Sequence, residues 1–270
     1  MRVIISSRFP KPYNTRVTDP ILKKRSSSNA QVQESKGGWR FNLDAGAAGA
    51  YRLAQLDDYA GAARGAFPHG PPFSLTLRAR ASRDDLLGTW GFGLWNDPFG
   101  FSLGFGGTTG RLPSLPNAAW FFFASPENYL SLRSDQPGSG ALAGSYRSAR
   151  LPSLLLAPAA LAVPLLWLPA ASRLLRRMAG RLVRHELAQL IIDSTAWHEY
   201  GIHWRAEQVE FMLDGVSLFT ASAPRPPLGL VLWLDNQFAA WRPDGRLAYG
   251  TLPTPADCWV EIKDLHISSH

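Results

Sequence analysis

The strongest constraint on the fold is the stretch at residues 197–235, WHEYGIHWRAEQVEFMLDGVSLFTASAPRPPLGLVLWLD. Bulky apolar residues occupy every second position in 200–204 and again in 209–213, the period expected when one face of a β-strand is buried. Asp214 and Gly215 follow the second run, and this pair is typical of a tight hairpin turn. The stretch therefore predicts antiparallel strands, with a further strand after a proline-rich break.

The same alternation separates the two faces of the predicted sheet. In the run that ends at Asp235, leucines occupy one face, while Trp233 and Asp235 lie on the other. An apolar face opposed by an aromatic ring and an acid indicates an inner strand above a groove. Near Asp264 the alternation shifts by one residue, which predicts a β-bulge.

Small residues dominate one face of two successive predicted strands. Gly91 and Gly93 oppose the large residues of the first strand, and Ser102 belongs to a similar row of small residues in 99–106. Glycine weakens a strand and often marks a close approach by another group. Two occupants are consistent with the pattern: a ligand in a groove, or the chain's own insertion.

Three segments carry a resemblance to a known family: WHEYGIHWRAEQVEFMLDGVSLF, LGLVLWLDNQFAAW and CWVEIKDLHIS. They resemble the C-terminal half of the concanavalin A-like lectin/glucanase sandwich, and are most similar to glycoside hydrolase family 16. In that family a W-H-x-Y-x-I-x-W strand precedes a V-x-F-x-x-D-G hairpin, and an Asn-containing inner strand ends near a tryptophan. The resemblance covers about half of the chain and implies an all-β, jelly-roll β-sandwich whose concave groove binds carbohydrate.

The family's catalytic motif is missing from this sequence. Its enzymes carry E-x-D-x-E on one strand, which places two carboxyl groups on one face, as retaining glycosidases require. The corresponding region, 99–133, contains only Glu127 as an acid, in a Ser-Pro-Glu-Asn turn. We therefore expect no glycosidase activity of the family type, and the sequence predicts a non-hydrolytic protein that binds a glycan or a small apolar molecule.

The predicted ligand-binding residues combine rings with polar groups, because tryptophan stacks on apolar faces while amides and carboxylates bind hydroxyl groups. They are Trp95, Ser102, Trp233, Asp235, Asn236, Gln237 and Trp241. An alternative is an enzyme with other chemistry on the same scaffold, for which Asp235 and His198 are the acid/base candidates. The sequence indicates no cofactor and no metal site, and a structural calcium ion is left open. The single cysteine, Cys258, is expected in a buried strand.

An unusual insertion is predicted at 150–192. Residues 151–172 are uncharged and contain four prolines, which would interrupt a straight membrane-spanning helix. A basic amphipathic helix is predicted from Arg173 to Ile192, with leucine and methionine at every fourth position beside a row of arginines. The insertion is interpreted either as a monotopic membrane anchor or as a lid on the sandwich. Its candidate residues are Leu154, Leu155, Leu165, Leu166, Trp167, Arg173 and Arg177.

Positive charge is concentrated outside the predicted sandwich. The formal net charge is +7, while residues 1–36 alone carry +6 and residues 136–185 carry +7. We interpret 1–37 as a basic, flexible N-terminal arm and 38–270 as the β-sandwich domain. No apolar leader segment is evident, so the expected location is cytoplasmic, with a membrane-surface association as the alternative. The basic runs lack a recognisable nucleic-acid-binding fold, so no nucleic-acid partner is predicted.

Overall fold

The computed structural model describes residues 21–98, 111–112, 114–149 and 163–269. Strands are numbered in chain order. The first sheet has the order β1 (Lys23–Ser26), β4 (Leu53–Asp57), β13 (Gly229–Asp235), β6 (Thr89–Trp95), β7 (Ala118–Ala124), β8 (Gly140–Ser148) and β9 (Val183–Gln189). The second has the order β12 (Val216–Ser222), β11 (Gln208–Leu213), β10 (His198–Trp204), β5 (Phe73–Ala81), β16 (Cys258–Ser269), β3 (Gly38–Leu43) and β2 (Ala30–Ser35). A ribbon of β14 (Gln237–Trp241) and β15 (Leu247–Thr251), the helix α1 (Pro169–Leu182) and two 3₁₀ turns (Arg64–Ala66, Val163–Trp167) complete the described elements.

The two seven-stranded sheets pack face to face, which confirms the predicted all-β jelly-roll sandwich. The leucines of β13 are fully buried between the sheets, as the alternation predicted. Aromatic rings bridge the layers, since the Tyr200 ring of β10 lies 5.1 Å from Phe92 and 4.9 Å from Phe121 of the first sheet, centroid to centroid. The core is therefore one continuous apolar layer, and residues that alternate with it face outward.

Two local predictions from sequence are confirmed. Asp214 and Gly215 both adopt positive φ (50° and 77°) in the turn between β11 and β12, the conformation that Asp-Gly turns favour. Asp264 has φ of 52°, and the pairing of β16 with β5 shifts register between Lys263 and His266. The bulge predicted near Asp264 is present.

The sandwich begins earlier than predicted. Residues 23–35, assigned from sequence to the basic arm, form β1 at one edge of the first sheet and β2 at one edge of the second. Both strands are largely exposed, and Ala30 is the buried side chain of β2. Edge strands carry charged and polar residues that prevent further pairing. β1 and β2 therefore lack the apolar alternation that predicts a strand.

The insertion also differs from its predicted boundaries. The helix α1 ends at Leu182, and Val183–Gln189 return to the first sheet as its edge strand β9. The predicted helix extended to 192, although leucine and methionine recur at every fourth position only as far as Leu182. Beyond that residue the alternation of a strand buries Val183 and His185. No helix in the described ranges has the length and hydropathy needed to span a bilayer. Leu154 and Leu155 of the insertion, and Ser102, lie outside the described residues.

Candidate functional site

Five aromatic side chains cluster on the outer side of the first sheet, the side that faces away from the second sheet. We call this cluster the aromatic face; its rings belong to Trp95, Trp120, Phe122, Tyr146 and Trp233. Trp120 of β7 lies at its centre, with ring centroids 6.1 Å from Trp95, 5.8 Å from Trp233 and 5.7 Å from Tyr146. The spacing is typical of packed aromatic side chains. The strand pairing of the first sheet thus assembles a continuous aromatic surface.

The glycines of β6 make room for these rings. A Cβ atom added at Gly91 would lie 2.7 Å from the Trp233 ring and 2.3 Å from the Phe121 carbonyl oxygen. At Gly93 it would lie 2.7 Å from the Cβ of Trp120. The close approach inferred from sequence is therefore made by tryptophans of the neighbouring strands, rather than by the ligand or the insertion considered above.

The rings of the aromatic face are not equally accessible. Trp95, Trp120 and Phe122 are half-buried, so part of each ring is open to contact. Trp233 is only 8% exposed, because Phe122 and Trp120 pack on it. The predicted ligand residues Trp95 and Trp233 lie in the same cluster, and the Trp120 ring is more accessible than that of Trp233.

A hydrogen-bond network surrounds Asp235 at one end of the aromatic face. The Thr89 hydroxyl donates to Oδ1 of Asp235 at 2.7 Å, and the Tyr51 hydroxyl lies 3.3 Å from Oδ2. Trp233 Nε1 donates to the same Thr89 oxygen at 3.0 Å. Burial raises the pKa of Asp235 to about 7, although the bond from Thr89 lowers it. Burial thus brings the titration of this carboxyl close to neutral pH.

A second carboxyl group lies on the same side of the sheet, in β4. Gln55 donates from Nε2 to Asp57 at 2.8 Å, and Trp95 donates from Nε1 to the Tyr59 hydroxyl at 2.7 Å. Burial raises the pKa of Asp57 above its usual value. The Gln55 amide lies 3.4 Å from the Tyr59 hydroxyl and links the two bonds. These hydrogen bonds hold the Trp95 indole in a fixed position.

The two carboxyl groups are well separated along the sheet. Asp57 pairs with Val231, whereas Asp235 pairs with Leu53, so they are offset by four residues of β13. At about 3.3 Å per residue the offset is roughly 13 Å. Glycosidases place their two carboxyl groups about 5–5.5 Å apart when retaining and about 6.5–9.5 Å apart when inverting. The spacing of Asp57 and Asp235 fits neither geometry.

Three predicted ligand residues also make contacts within the fold. Asn236 is fully buried; its Oδ1 accepts from the Arg52 backbone N at 2.8 Å, and its Nδ2 donates to the carbonyls of Ala50 and Leu252. Gln237 donates its backbone N–H to Asp235 at 3.3 Å. Trp241 donates from Nε1 to Ser172 of α1 at 2.8 Å. The prediction that Asn236 contacts a ligand is wrong, because its amide is sealed within the fold.

The structure does not bring the two acid/base candidates together. His198 belongs to β10 of the second sheet, whereas Asp235 belongs to the first. The Nδ1 of His198 lies 2.7 Å from Oδ2 of Asp214, and its Nε2 lies 3.1 Å from the Asp193 carbonyl oxygen. His198 therefore stabilises the end of the β11–β12 hairpin and does not share a site with Asp235.

The single cysteine and the possible metal ligands were also located among the described residues. Cys258 is buried in β16, as expected, and burial raises the pKa of its thiol to about 11. Across the residues whose placement is given, no three His, Cys, Asp or Glu side chains are grouped to hold a metal ion.

Sequence reasoning missed Trp120, Phe122, Tyr146 and the Asp57 network. The run AAWFFFA of β7 is apolar throughout, so no polar residue marks which face is buried. Alternation alone would place Trp120 and Phe122 on one face and Phe121 and Phe123 on the other. The pairing of β7 with β6 shows which pair belongs to the core.

The candidate residues of the insertion are mostly at the surface. Leu165, Trp167 and Arg173 are exposed, as is Arg177, while Leu166 is half-buried. The Arg173 guanidinium reaches the Asp244 carbonyl oxygen at 3.3 Å. The helix α1 is hydrogen-bonded to Trp241 of the β14–β15 ribbon and to Ser131 in the loop after β7.

Comparisons with known proteins identify similar folds. No protein-family model and no curated protein matches the chain. A GlcNAcα1-4Gal-releasing endo-β-galactosidase from Clostridium perfringens is 8% identical, with a TM-score of 0.47, over 89% of this chain and 54% of its own length. The β-glucanase of Bacillus licheniformis is 12% identical, with a TM-score of 0.45, over 96% and 95%. A legume lectin-like domain from Entamoeba histolytica is 11% identical, with a TM-score of 0.45, over 91% and 88%.

Proposed function

We propose that the aromatic face binds a carbohydrate chain and does not cleave it. The observation that supports this most directly is the half-buried Trp120, flanked by Trp95 on one side and Trp233 on the other at about 6 Å. Sugar rings have apolar faces that stack on indole, and a row of rings offers more than one stacking position. The proposal therefore assigns the central contact to Trp120.

Buried polar groups behind the rings hold two of the tryptophans in place. Trp95 is bonded to Tyr59, and Trp233 to Thr89 and through it to Asp235. Each tryptophan is thus held in a fixed orientation by its indole N–H, so a ligand need not order it. Binding sites commonly combine apolar walls with a few oriented polar groups.

Cleavage is not part of the proposal, because the carboxyl groups of this side lie too far apart. The offset of about 13 Å between Asp57 and Asp235 exceeds the spacing of either glycosidase class. The outer side of β7 carries Trp120 and Phe122, rings in place of acids. A near-neutral carboxyl at Asp235 alone could exchange a proton, but it has no second carboxyl partner within that spacing on the described strands.

Affinity electrophoresis tests the proposal. The protein is run in gels containing a β-1,3-glucan, a mixed β-1,3-1,4-glucan or a β-galactan, beside Trp120→Ala. We expect retardation of the unmodified protein by at least one polysaccharide and about a tenfold weaker affinity in the variant, the effect of losing one stacking contact of about 1.4 kcal/mol.

The matched control is Trp259→Ala, which removes a half-buried tryptophan from the second sheet, where Arg40 lies 4.3 Å from its ring. It should leave retardation unchanged. Equal loss in both variants, or no retardation by any of the polysaccharides, would reject the proposed face. Retention of an apolar dye alone would favour a small apolar ligand. A reducing-sugar assay run in parallel separates binding from hydrolysis, since new reducing ends would contradict the non-hydrolytic part.

A further inference from the structure

The helix α1 packs against the protein through the side that carries Ser172 and Arg176. Arg176 is 5% exposed, and its guanidinium donates to the Trp241 carbonyl oxygen at 2.9 Å and to the Ser131 carbonyl oxygen at 2.8 Å. Ser172, also buried, accepts from Trp241 Nε1 at 2.8 Å. An amphipathic helix on a globular protein ordinarily buries its apolar stripe. Here three hydrogen bonds fix the opposite orientation.

The apolar stripe of α1 therefore faces solvent. Leu174, Met178 and Leu182 are 53%, 49% and 40% exposed, and at 3.6 residues per turn they span an arc of about 80°. The segment before the helix adds Leu165, Trp167 and Leu168, all exposed. These six residues form what we call the outward patch. Trp167 also contacts Tyr249 of the ribbon, with ring centroids 6.3 Å apart. Large apolar side chains left exposed in this number mark a contact site.

Arginines run beside the outward patch. Arg173, Arg177 and Arg181 are exposed on the arc next to the leucines, and Arg184 is exposed shortly after the helix. No Asp or Glu occurs between residues 136 and 185, so the helix carries no countercharge of its own. An apolar stripe bordered by arginines, with an exposed tryptophan at one end, matches the chemistry of helices that lie in a lipid headgroup layer.

We propose that the outward patch docks on an anionic lipid surface, with Leu174, Met178 and Leu182 inserted among the acyl chains and the arginines at the headgroups. A second copy of this chain fits less well, because an antiparallel two-fold contact between these helices would bring like-charged arginine rows together. Burying Arg176 and Ser172 is the reason for this orientation, since they hold the apolar stripe away from the sandwich. The inference does not rest on the sugar-binding proposal, since the two proposals assign different side chains.

Vesicle flotation with the full chain tests this proposal. The protein is mixed with phosphatidylcholine vesicles containing no phosphatidylserine or about 30% phosphatidylserine, at low and high salt. We expect partitioning that is strong on the anionic vesicles and weakened by salt. The triple variant R173Q/R177Q/R181Q should bind the anionic vesicles about a hundredfold less, because each arginine near a charged membrane contributes about a fivefold factor. The variant L174Q/M178Q/L182Q should lose binding to both vesicle types.

Two controls remove comparable groups from other surfaces. The variant K24Q/R83Q/R205Q deletes the same number of exposed positive charges, and Ile191→Gln deletes a fully exposed apolar side chain. Both should float like the unmodified protein. The proposal is overturned if the unmodified protein stays off anionic vesicles, or if the charge control loses as much binding as the helix variant. A dimer in light scattering that the L174Q/M178Q/L182Q variant dissociates, without vesicle binding, would assign the patch to a second copy instead.

Discussion

Replacement of Asp235 by asparagine should change how stability depends on pH. The folded carboxyl has a pKa of about 7 because it is buried, whereas an unfolded aspartate titrates near about 3.9. As the pH rises from about 4 to about 7, the unfolded chain therefore loses a proton that the folded chain keeps, and the free energy of unfolding falls. A difference of about 3 pKa units at about 1.36 kcal/mol each gives a loss of roughly 4 kcal/mol. The asparagine side chain cannot ionise, so the variant lacks this loss.

The assay is urea denaturation of both proteins at pH 4, 5.5, 7 and 8. Relative to the unmodified protein, Asp235→Asn should gain stability steadily with pH, by up to about 4 kcal/mol between pH 4 and 8. At pH 4 the variant should be as stable as the unmodified protein or slightly less stable. The reason is that an amide group replaces the carboxyl group that accepts a hydrogen bond from the Tyr51 hydroxyl. All other titrating groups are common to both proteins and cancel in the difference. A difference that stays constant over this range would refute the reasoning that burial controls this carboxyl.

A second variant tests the assigned cause of the pKa. Thr89→Val keeps the side-chain size but removes the hydroxyl that donates to Asp235, a bond that lowers the carboxyl pKa. Its loss should move the pH range of the stability change upward. A shift toward lower pH would mean that Thr89 does not stabilise the ionised form.

Two further changes test the packing around Gly91 and around the helix α1. Gly91→Ala should destabilise the protein by about 1–3 kcal/mol in thermal or urea unfolding, because the new methyl group would lie 2.3 Å from the Phe121 carbonyl oxygen. Its control is Gly65→Ala, where the new methyl group has nothing within 4 Å, so the loss of stability should be far smaller. Arg176→Ala should speed amide hydrogen exchange throughout α1, because two bonds to backbone carbonyls are lost; Arg177→Ala, on the exposed side, should not.

Period-two alternation was sufficient to predict those strands of the sandwich in which one face is buried and apolar and the other is not. In β13 the leucines enter the core while Trp233 and Asp235 face outward, as predicted. The pattern fails in β7, where both faces are apolar, and in β1, which is exposed along most of its length. The physical reason is the same in both cases, since alternation reports a contrast in burial and neither strand has one.

The candidate site was harder to predict from the sequence than the fold, because it depends on the order of the strands in the sheet. Trp120 and Trp233 are far apart in the chain, and they meet only because β6 lies between their strands and contributes Gly91 and Gly93. The sequence shows that these glycines leave space, but not what fills it. A tryptophan from a neighbouring strand is as suitable an occupant as a ligand, and the register decides between them.

Trp241 illustrates why residue type alone cannot separate binding from structure. An amphipathic ring after an inner strand was expected to stack on a ligand, yet its indole N–H is bonded to Ser172 and its carbonyl to Arg176. Arg176 and Ser172 lie on α1, 65 and 69 residues earlier in the chain than Trp241. No local sequence pattern can therefore predict these contacts. Through these bonds Trp241 fixes the orientation of α1, and so determines that Leu174 and its neighbours face outward. A residue predicted to bind a ligand therefore positions a different surface, and the two proposals can be tested separately because they share no side chain.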